Sequence, residues 1–367
     1  MLKQALNELE VQLRLDAISP LLIKDGRYGQ DQREEWSRDR ERRKIMPMAV
    51  PISRNSEHEL RQAVIDPDPV GAVSKLDFFL PGTSLRGAWR SHLERTLRGL
   101  DPADQPRVCD PLAIGQREPG QSEEEEVIVS ERDASCSNVL GIQAKRHSED
   151  QQKKPESERA EYHPYARSCP VCRLFGSTVQ ASRISVSDGE RELGMGRILV
   201  REHVRINRRT GQVTGAPLKF FALQDFAFNV TVRLCNFELW QVALTGLLLE
   251  QARAALIPVG SGKSKGYGQL RARIMCVKLV SFGLQRPDER LRGIAEHPLA
   301  ATDSTGVYRF QTLDREVALP AGRWDTPSLP WRHERSVAPE HFDQLWKPIL
   351  PLQWDFPALA SRVEYAL

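Results

Sequence analysis

The stretch Ile257-Pro258-Val259-Gly260-Ser261-Gly262-Lys263-Ser264-Lys265-Gly266-Tyr267-Gly268 constrains this chain more than any other. An apolar helical run over 239–256 leads into it and an alternating run over 270–277 leads out, so it joins a helix to a strand. Its glycines let the backbone take positive φ, approach another chain closely and expose N–H groups. Lys263 and Lys265 add positive charge, and Tyr267 adds a flat face. The combination suits a polyanion with stackable bases, meaning RNA or single-stranded nucleic acid. Gly260, Gly262, Lys263, Lys265 and Tyr267 are then the contact residues. A glycine-rich connector without a ligand is the plain alternative. Gly262-Lys263-Ser264 also looks like the end of a nucleotide-binding P-loop. That motif needs a further glycine where this chain has Ile257, and it runs from strand to helix, the reverse of the order here.

A chain of 367 residues has room for one large elaborated domain or two ordinary ones, and 40% hydrophobic residues support a real core. Net charge is only +3, so any basic face is local. No apolar run approaches the roughly 18 residues of a membrane span, so no membrane partner is expected. The N-terminus lacks a secretory apolar segment, which predicts a cytosolic protein. In a reducing compartment, clustered cysteine reads as a metal site and not as a disulfide framework.

Along the chain, residues 10–18 alternate as a half-buried strand that ends at Ser19-Pro20. Residues 24–44 carry eight basic and six acidic side chains and almost no apolar ones, which predicts a mobile loop or a solvated helix. Its Arg33, Arg38, Arg40, Arg42 and Arg43 either clamp phosphates or merely solvate a face. From Phe78 to Arg90 a short strand meets a Pro-Gly turn and a helix that Thr83 or Ser84 can cap, with Leu85, Ala88, Trp89, Leu93, Leu97 and Leu100 on one face. Gly82, Thr83, Ser84 and Arg86 make that helix start a ready phosphate site.

Residues 101–168 read as an insertion, poor in aliphatics and expected to be loop; it includes the acidic run 123–126 and the charged run 145–154. Cys109 and Cys136 lie in it, and Cys169-Pro170-Val171-Cys172 closes it. A C-x-x-C pair with two upstream cysteines fits a four-thiolate zinc site that ties down a segment without its own core. His147 or His163 can replace one of the upstream ligands, and four unrelated buried cysteines are the plain alternative. Residues 183–188 read as a strand. Residues 202–215 read as a basic hairpin with Arg205, Arg208 and Arg209 at its tip, and 226–234 as another strand. Residues 281–367 look like an irregular, proline-rich extension packed by Trp324, Trp331, Trp346 and Trp354. The order strand, helix, strand, strand, helix, strand predicts an α+β, ferredoxin-like or RRM-like domain over 1–280.

Four pieces stand in one order: Leu80-Pro81-Gly82-Thr83-Ser84-Leu85-Arg86-Gly87, Cys169-x-x-Cys172-x-Leu174-Phe175-Gly176, Arg205-Ile206-Asn207-Arg208-x-Thr210-Gly211, and Gly260-x-Gly262-Lys263-x-Lys265-Gly266-Tyr267-Gly268. This resembles the RAMP superfamily of CRISPR-associated proteins, specifically a backbone subunit of type III effector complexes, with the insertion and extension marking a type III-D-like variant. The resemblance implies a palm that cradles the CRISPR RNA guide, with other subunits of the complex and the target RNA as further partners. It implies that the hairpin is a thumb wedged between guide and target, displacing a base at a fixed interval. A zinc knuckle at the matching cysteines is common in similar variants.

Cleaving members of the family carry an aspartate in a loop after the first strand, which supports in-line attack of a ribose 2′-OH on the adjacent phosphate. The matching stretch here is Met46-Pro47-Met48-Ala49-Val50-Pro51-Ile52-Ser53-Arg54, with Pro47 or Ala49 where the carboxylate should stand. The implied role is binding without cutting. A target-RNA endoribonuclease is the alternative, with Asp25, Asp31 or Asp39 as its carboxylate and magnesium as its cofactor. A guide-processing ribonuclease, the third reading, would use His58 or His92 as its base.

Overall fold

Leu9, Val11, Leu13 and Leu15 alternate with Glu8, Glu10, Gln12 and Arg14, and this period of two gives the first strand a buried face and a wet one. The computed structural model describes residues 4–100, 107–110, 135–155, 162–297, 310, 316–325 and 329–350. In chain order it contains β1 (Asn7–Ala17), α1 (Gln30–Trp36), α2 (Arg40–Ile45), α3 (Glu57–Ile65), α4 (Pro69–Ser74), α5 (Gly82–Leu100), α6 (Cys136–Gln152) and α7 (Pro170–Phe175). There follow β2 (Ile184–Val186), β3 (Glu190–Arg191), β4 (Arg197–His203), β5 (Leu218–Gln224), β6 (Ala227–Cys235), α8 (Leu239–Arg253) and β7 (Leu270–Phe282). The extension adds β8 (Arg290–Leu291), β9 (Val317–Ala318), β10 (Arg332–Val337) and α9 (Phe342–Trp346).

The main sheet runs β10-β7-β1-β6-β2, with β3 also on β6, and every pairing is antiparallel. Its β7-β1-β6-β2 part has the ferredoxin-like order, with α5 on the way from β1 to β2 and α8 linking β6 to β7. Helix α8 is apolar almost all round because it is covered on both sides. Toward α9 it presents Gly246, where a Cβ would lie 2.1 Å from the Trp346 ring. The other sheet face carries interlocked ion pairs: Arg233 with Glu8 and Glu10, and Asp16 with Arg14 and Arg273. An RRM stacks bases on aromatic side chains of its sheet. Here β1 offers Glu8, Glu10, Gln12, Arg14 and Asp16 on that face, so the likeness to an RRM is one of topology.

Three segments are more ordered than their composition predicts. Residues 24–44 are not a featureless loop: Tyr28 and Trp36 are buried edge to face at 5.4 Å, and the Tyr28 hydroxyl donates to the Pro47 carbonyl at 2.7 Å. Trp36 anchors the short helix α1, and the Arg33 guanidinium, donating to the Arg43 carbonyl at 3.0 Å, ties α2 to it. The insertion contains α6, whose start is capped by the Ser135 hydroxyl accepting from Asn138 N–H; residues 123–126 lie outside the described residues. The extension supplies β10 to the edge of β7. Trp324 and Trp346 are buried as expected, but Trp331 is 50% exposed; Trp354 lies outside the described residues.

Strands β4 and β5 form a separate two-stranded sheet. Its β5 edge is zipped to the chain after β1 by Leu21–Leu223 backbone bonds of 2.8 Å. It is also joined to the 46–54 stretch by Met48 N–H on Lys219 O and Phe221 N–H on Ala49 O, at 2.6 and 3.1 Å.

Candidate nucleic-acid interface and metal centre

Gly260, Gly262, Gly266 and Gly268 all take φ between 78° and 84°, the conformation expected of the glycine-rich turn. At Gly268 the need is also steric, since a Cβ would stand 1.9 Å from the Val259 carbonyl oxygen. The turn is fixed to the chain after β1 by Ser261 N–H on Leu22 O and Gly268 N–H on Pro20 O, at 2.7 and 2.8 Å. Among the described residues, the N–H groups of Gly262, Lys263 and Ser264 find no acceptor, and a single turn of 3-10 helix over Lys263–Lys265 raises both lysines into solvent. Free N–H groups beside two ammonium groups are the elements from which an anion-binding concavity can be built.

Tyr267 does not offer a stacking face. It is 4% exposed, lies against Leu22, Ala49 and Ala222, and its hydroxyl is 2.9 Å from His203 Nε2. A phenol held by a short cluster around Gly262 is core, and sequence spacing cannot show that. Lys265 lies over the Phe220 ring at 5.7 Å, and His203 meets the same ring edge-on at 5.2 Å. Sequence reading missed His203 and Phe220, because each joins the turn only through the hairpin. Burial, then Lys265 and Arg201, lower the His203 imidazole from its ordinary value and so favour its neutral form.

Beyond His203 every residue of 204–217 is exposed. The hairpin narrows at an Ile206–Val213 bridge, and the Asn207 side chain accepts from Arg209 N–H at 2.9 Å and Thr210 N–H at 3.3 Å, closing the tip. Arg205, Arg208 and Arg209 project there beside the exposed apolar side chains Val204, Ile206 and Val213.

The helix start at Gly82 differs from its expected form. Helix α5 already begins at Gly82, so Thr83 and Ser84 sit inside its first turn and cap nothing. Asp188 accepts from Gly82 N–H at 2.8 Å. Gly82 is required for packing, since a Cβ would meet the Val186 carbonyl at 2.3 Å. The Arg86 guanidinium donates to the Phe175 carbonyl and lies over that residue's ring at 5.6 Å, joining α5 to α7.

Cys109 and Cys136 of the insertion converge with the pair Cys169 and Cys172 that closes it. Cys109, Cys136, Cys169 and Cys172 are buried with all sulfurs within 4.8 Å of one another, and Cys109 lies 3.6 and 3.7 Å from Cys169 and Cys172. Four sulfurs around zinc at about 2.3 Å would be about 3.8 Å apart, so the donor set and its spacing fit a metal such as zinc. A disulfide would need about 2.05 Å. The knuckle pair is set by the first turn of α7, where Cys169 caps the helix by accepting from Cys172 N–H. Hydrogen bonding among the crowded sulfurs, reinforced by burial, pushes the Cys109 and Cys172 thiols far up. Arg90, unnoticed in the sequence, donates to Cys172 Sγ at 3.3 Å and would offset the charge of a metal-bound thiolate there, while Arg98 donates to the Cys109 carbonyl at 3.1 Å. His147 stands apart, 5.7 Å from the Tyr162 ring, and His163 is half-buried outside the four-sulfur group.

The candidate carboxylates and bases are scattered. Asp25 is 3% exposed and closed in an ion pair with Arg27 at 2.6 Å; Asp39 caps α2, accepting from Glu41 N–H; Asp31 lies exposed in the first turn of α1. Pro47 and Ala49 are buried in the segment zipped to β5. Of the arginines of 24–44, Arg33 is turned inward onto the Arg43 carbonyl at 3.0 Å, while Arg38 and Arg40 are exposed. His92 Nε2 is 2.9 Å from Gln251 Oε1, and His58 is exposed at the start of α3. No described helix is long and apolar enough to cross a membrane.

A family model for the RAMP superfamily (RAMPs) matches residues 14–271, well over half of the chain. No curated protein matches it.

Proposed function

Because this chain belongs to the RAMP superfamily of CRISPR-associated RNA-binding proteins, we propose that it is a backbone subunit of a type III effector complex that holds the CRISPR RNA guide. One observation carries this reading: the turn at Gly260–Gly268 presents free N–H groups and two lysines beside the root of an exposed basic hairpin. The guide's phosphates lie along Gly260, Gly262, Lys263 and Lys265, and Thr83 and Ser84 in the first turn of α5 add hydroxyls to the same strand. The hairpin is the thumb. Its Val204, Ile206 and Val213 are the apolar wedge between guide and target RNA, and Arg205, Arg208 and Arg209 hold the flanking phosphates. Neighbouring subunits repeat along the guide.

Zinc at Cys109, Cys136, Cys169 and Cys172 is structural, a staple between the insertion and α7, and the cysteine-tied insertion and the extension mark a type III-D-like variant. The palm is 1–280, with 281–367 appended. The subunit binds without cutting: Asp25 is engaged by Arg27, Asp39 by the helix it caps, and Ala49 by β5. The test is photo-crosslinking of guide RNA in the assembled particle, with the linked peptides mapped. Crosslinks at 260–268 and 204–213 are expected. A particle free of RNA, or RNA crosslinked elsewhere only, overturns the reading.

A further inference from the structure

The hairpin and the glycine-rich turn belong to different elements, yet one hydrogen bond joins them. Strands β4 and β5 make their own sheet, and the backbone bonds that anchor it are all on the β5 side. On the β4 side the strand is largely exposed until its last residue, His203, whose Nε2 lies 2.9 Å from the Tyr267 hydroxyl. Among the described residues this is the one side-chain hydrogen bond between 257–268 and the hairpin. It stands at the last β4–β5 pair, His203 with Leu218, at the point where the chain leaves cover.

The partner is rigid. The Tyr267 ring is nearly fully buried, and Gly262 sits so close that a Cβ there would be 2.2 Å from Tyr267 Cδ2. The phenol therefore has one position, set by the very turn that carries Lys263 and Lys265. His203 is wedged edge-on between the Phe220 and Tyr267 rings at 5.2 and 5.8 Å, which fixes the imidazole as well.

We infer that Tyr267 is a positioning residue that clamps the root of the basic hairpin to the glycine-rich turn, so that the two move as one body. Resting on the RNA-binding reading above, the clamp sets the angle at which the hairpin tip meets RNA held on the turn.

The test is amide hydrogen exchange on the full-length chain. Tyr267→Phe keeps the ring and removes only the hydroxyl, and exchange at 205–214 is expected to rise about two- to tenfold, the range for one net hydrogen bond. Amides of β1 and β6 stay at wild-type rates. His203→Gln, which keeps an acceptor for the phenol, should restore slow exchange relative to His203→Ala. With a single-stranded RNA oligonucleotide added, the wild type should gain protection at both the turn and the hairpin, and Tyr267→Phe at the turn only. Unchanged exchange at 205–214 in both Tyr267→Phe and His203→Ala overturns the clamp. Absence of RNA protection in the wild type would instead overturn the RNA-binding reading, and the exchange of the free protein still decides the clamp.

Discussion

Two glycines two positions apart in the same turn should respond very differently to one methyl group. Gly266 and Gly268 have φ of 80° and 82°, so alanine at either suffers the left-handed penalty of about 1–2 kcal/mol. A smaller gain of about 0.4–1 kcal/mol comes back from a less flexible unfolded chain. At Gly266 nothing lies within 4 Å of the added carbon, so the net loss should be near 1 kcal/mol. At Gly268 the carbon would stand 1.9 Å from the Val259 carbonyl oxygen, a backbone atom that no rotamer change can move. The turn must open, and the bonds most exposed to that opening are Val259 N–H on Gly268 O at 2.9 Å and Gly268 N–H on Pro20 O at 2.8 Å. At about 1 kcal/mol each, their loss brings Gly268→Ala to roughly 3 kcal/mol. Urea unfolding of both variants, with the transition midpoint and slope compared, measures the difference. Equal losses would refute the steric reasoning. Gly268→Ala should also weaken RNA binding more than Gly266→Ala, because only the former detaches the turn from the chain after β1.

Metal analysis of the purified protein should find about one zinc per chain, and Cys169→Ser should abolish it and lower the thermal midpoint. With the Cys109 and Cys172 thiols pushed up in the metal-free protein, ligation must expel protons, so affinity should fall as pH falls; zinc release followed with a chromophoric chelator across an acid titration checks the sign. Reversing Lys263 and Lys265 to glutamate should reduce affinity for single-stranded RNA and flatten the log–log salt slope by about 0.7 per lost phosphate contact. Alanine at Asp25, Asp31 or Asp39 should leave the number of target-RNA cleavage positions of the assembled complex unchanged. Asp25→Ala should also destabilise, by about 2 kcal/mol, because Arg27 loses its carboxylate, and Asp39→Ala by about 1 kcal/mol, because α2 loses its cap.

Much of the architecture could be read from the chain by local rules. The alternation at Val11, Leu13 and Leu15, the run from Leu239, the strand from Leu270 and the positive-φ glycines each follow from one residue's preference or from a period of two or 3.6, and such signals survive without knowledge of the fold. The clustering of Cys109 and Cys136 with the C-x-x-C pair was legible for the same reason, since few other roles suit four cysteines in so apolar-poor a segment.

What only the tertiary structure decided is who faces whom. Tyr267 looks like a base-stacking residue beside two lysines, and it is core because Leu22, Ala49 and Ala222 arrive from three other segments. Arg86 looks like a phosphate ligand and is turned onto Phe175; Arg90 looks like an ordinary helix charge and reaches a cysteine sulfur. Residues 332–337 read as irregular, yet they form β10, because the edge of β7 pairs with them and buries His333, Arg335 and Val337, with the Arg335 guanidinium on the Pro320 carbonyl and Glu289. A residue's propensity is written in its own side chain, whereas its exposure and partners are properties of segments brought together from far along the chain.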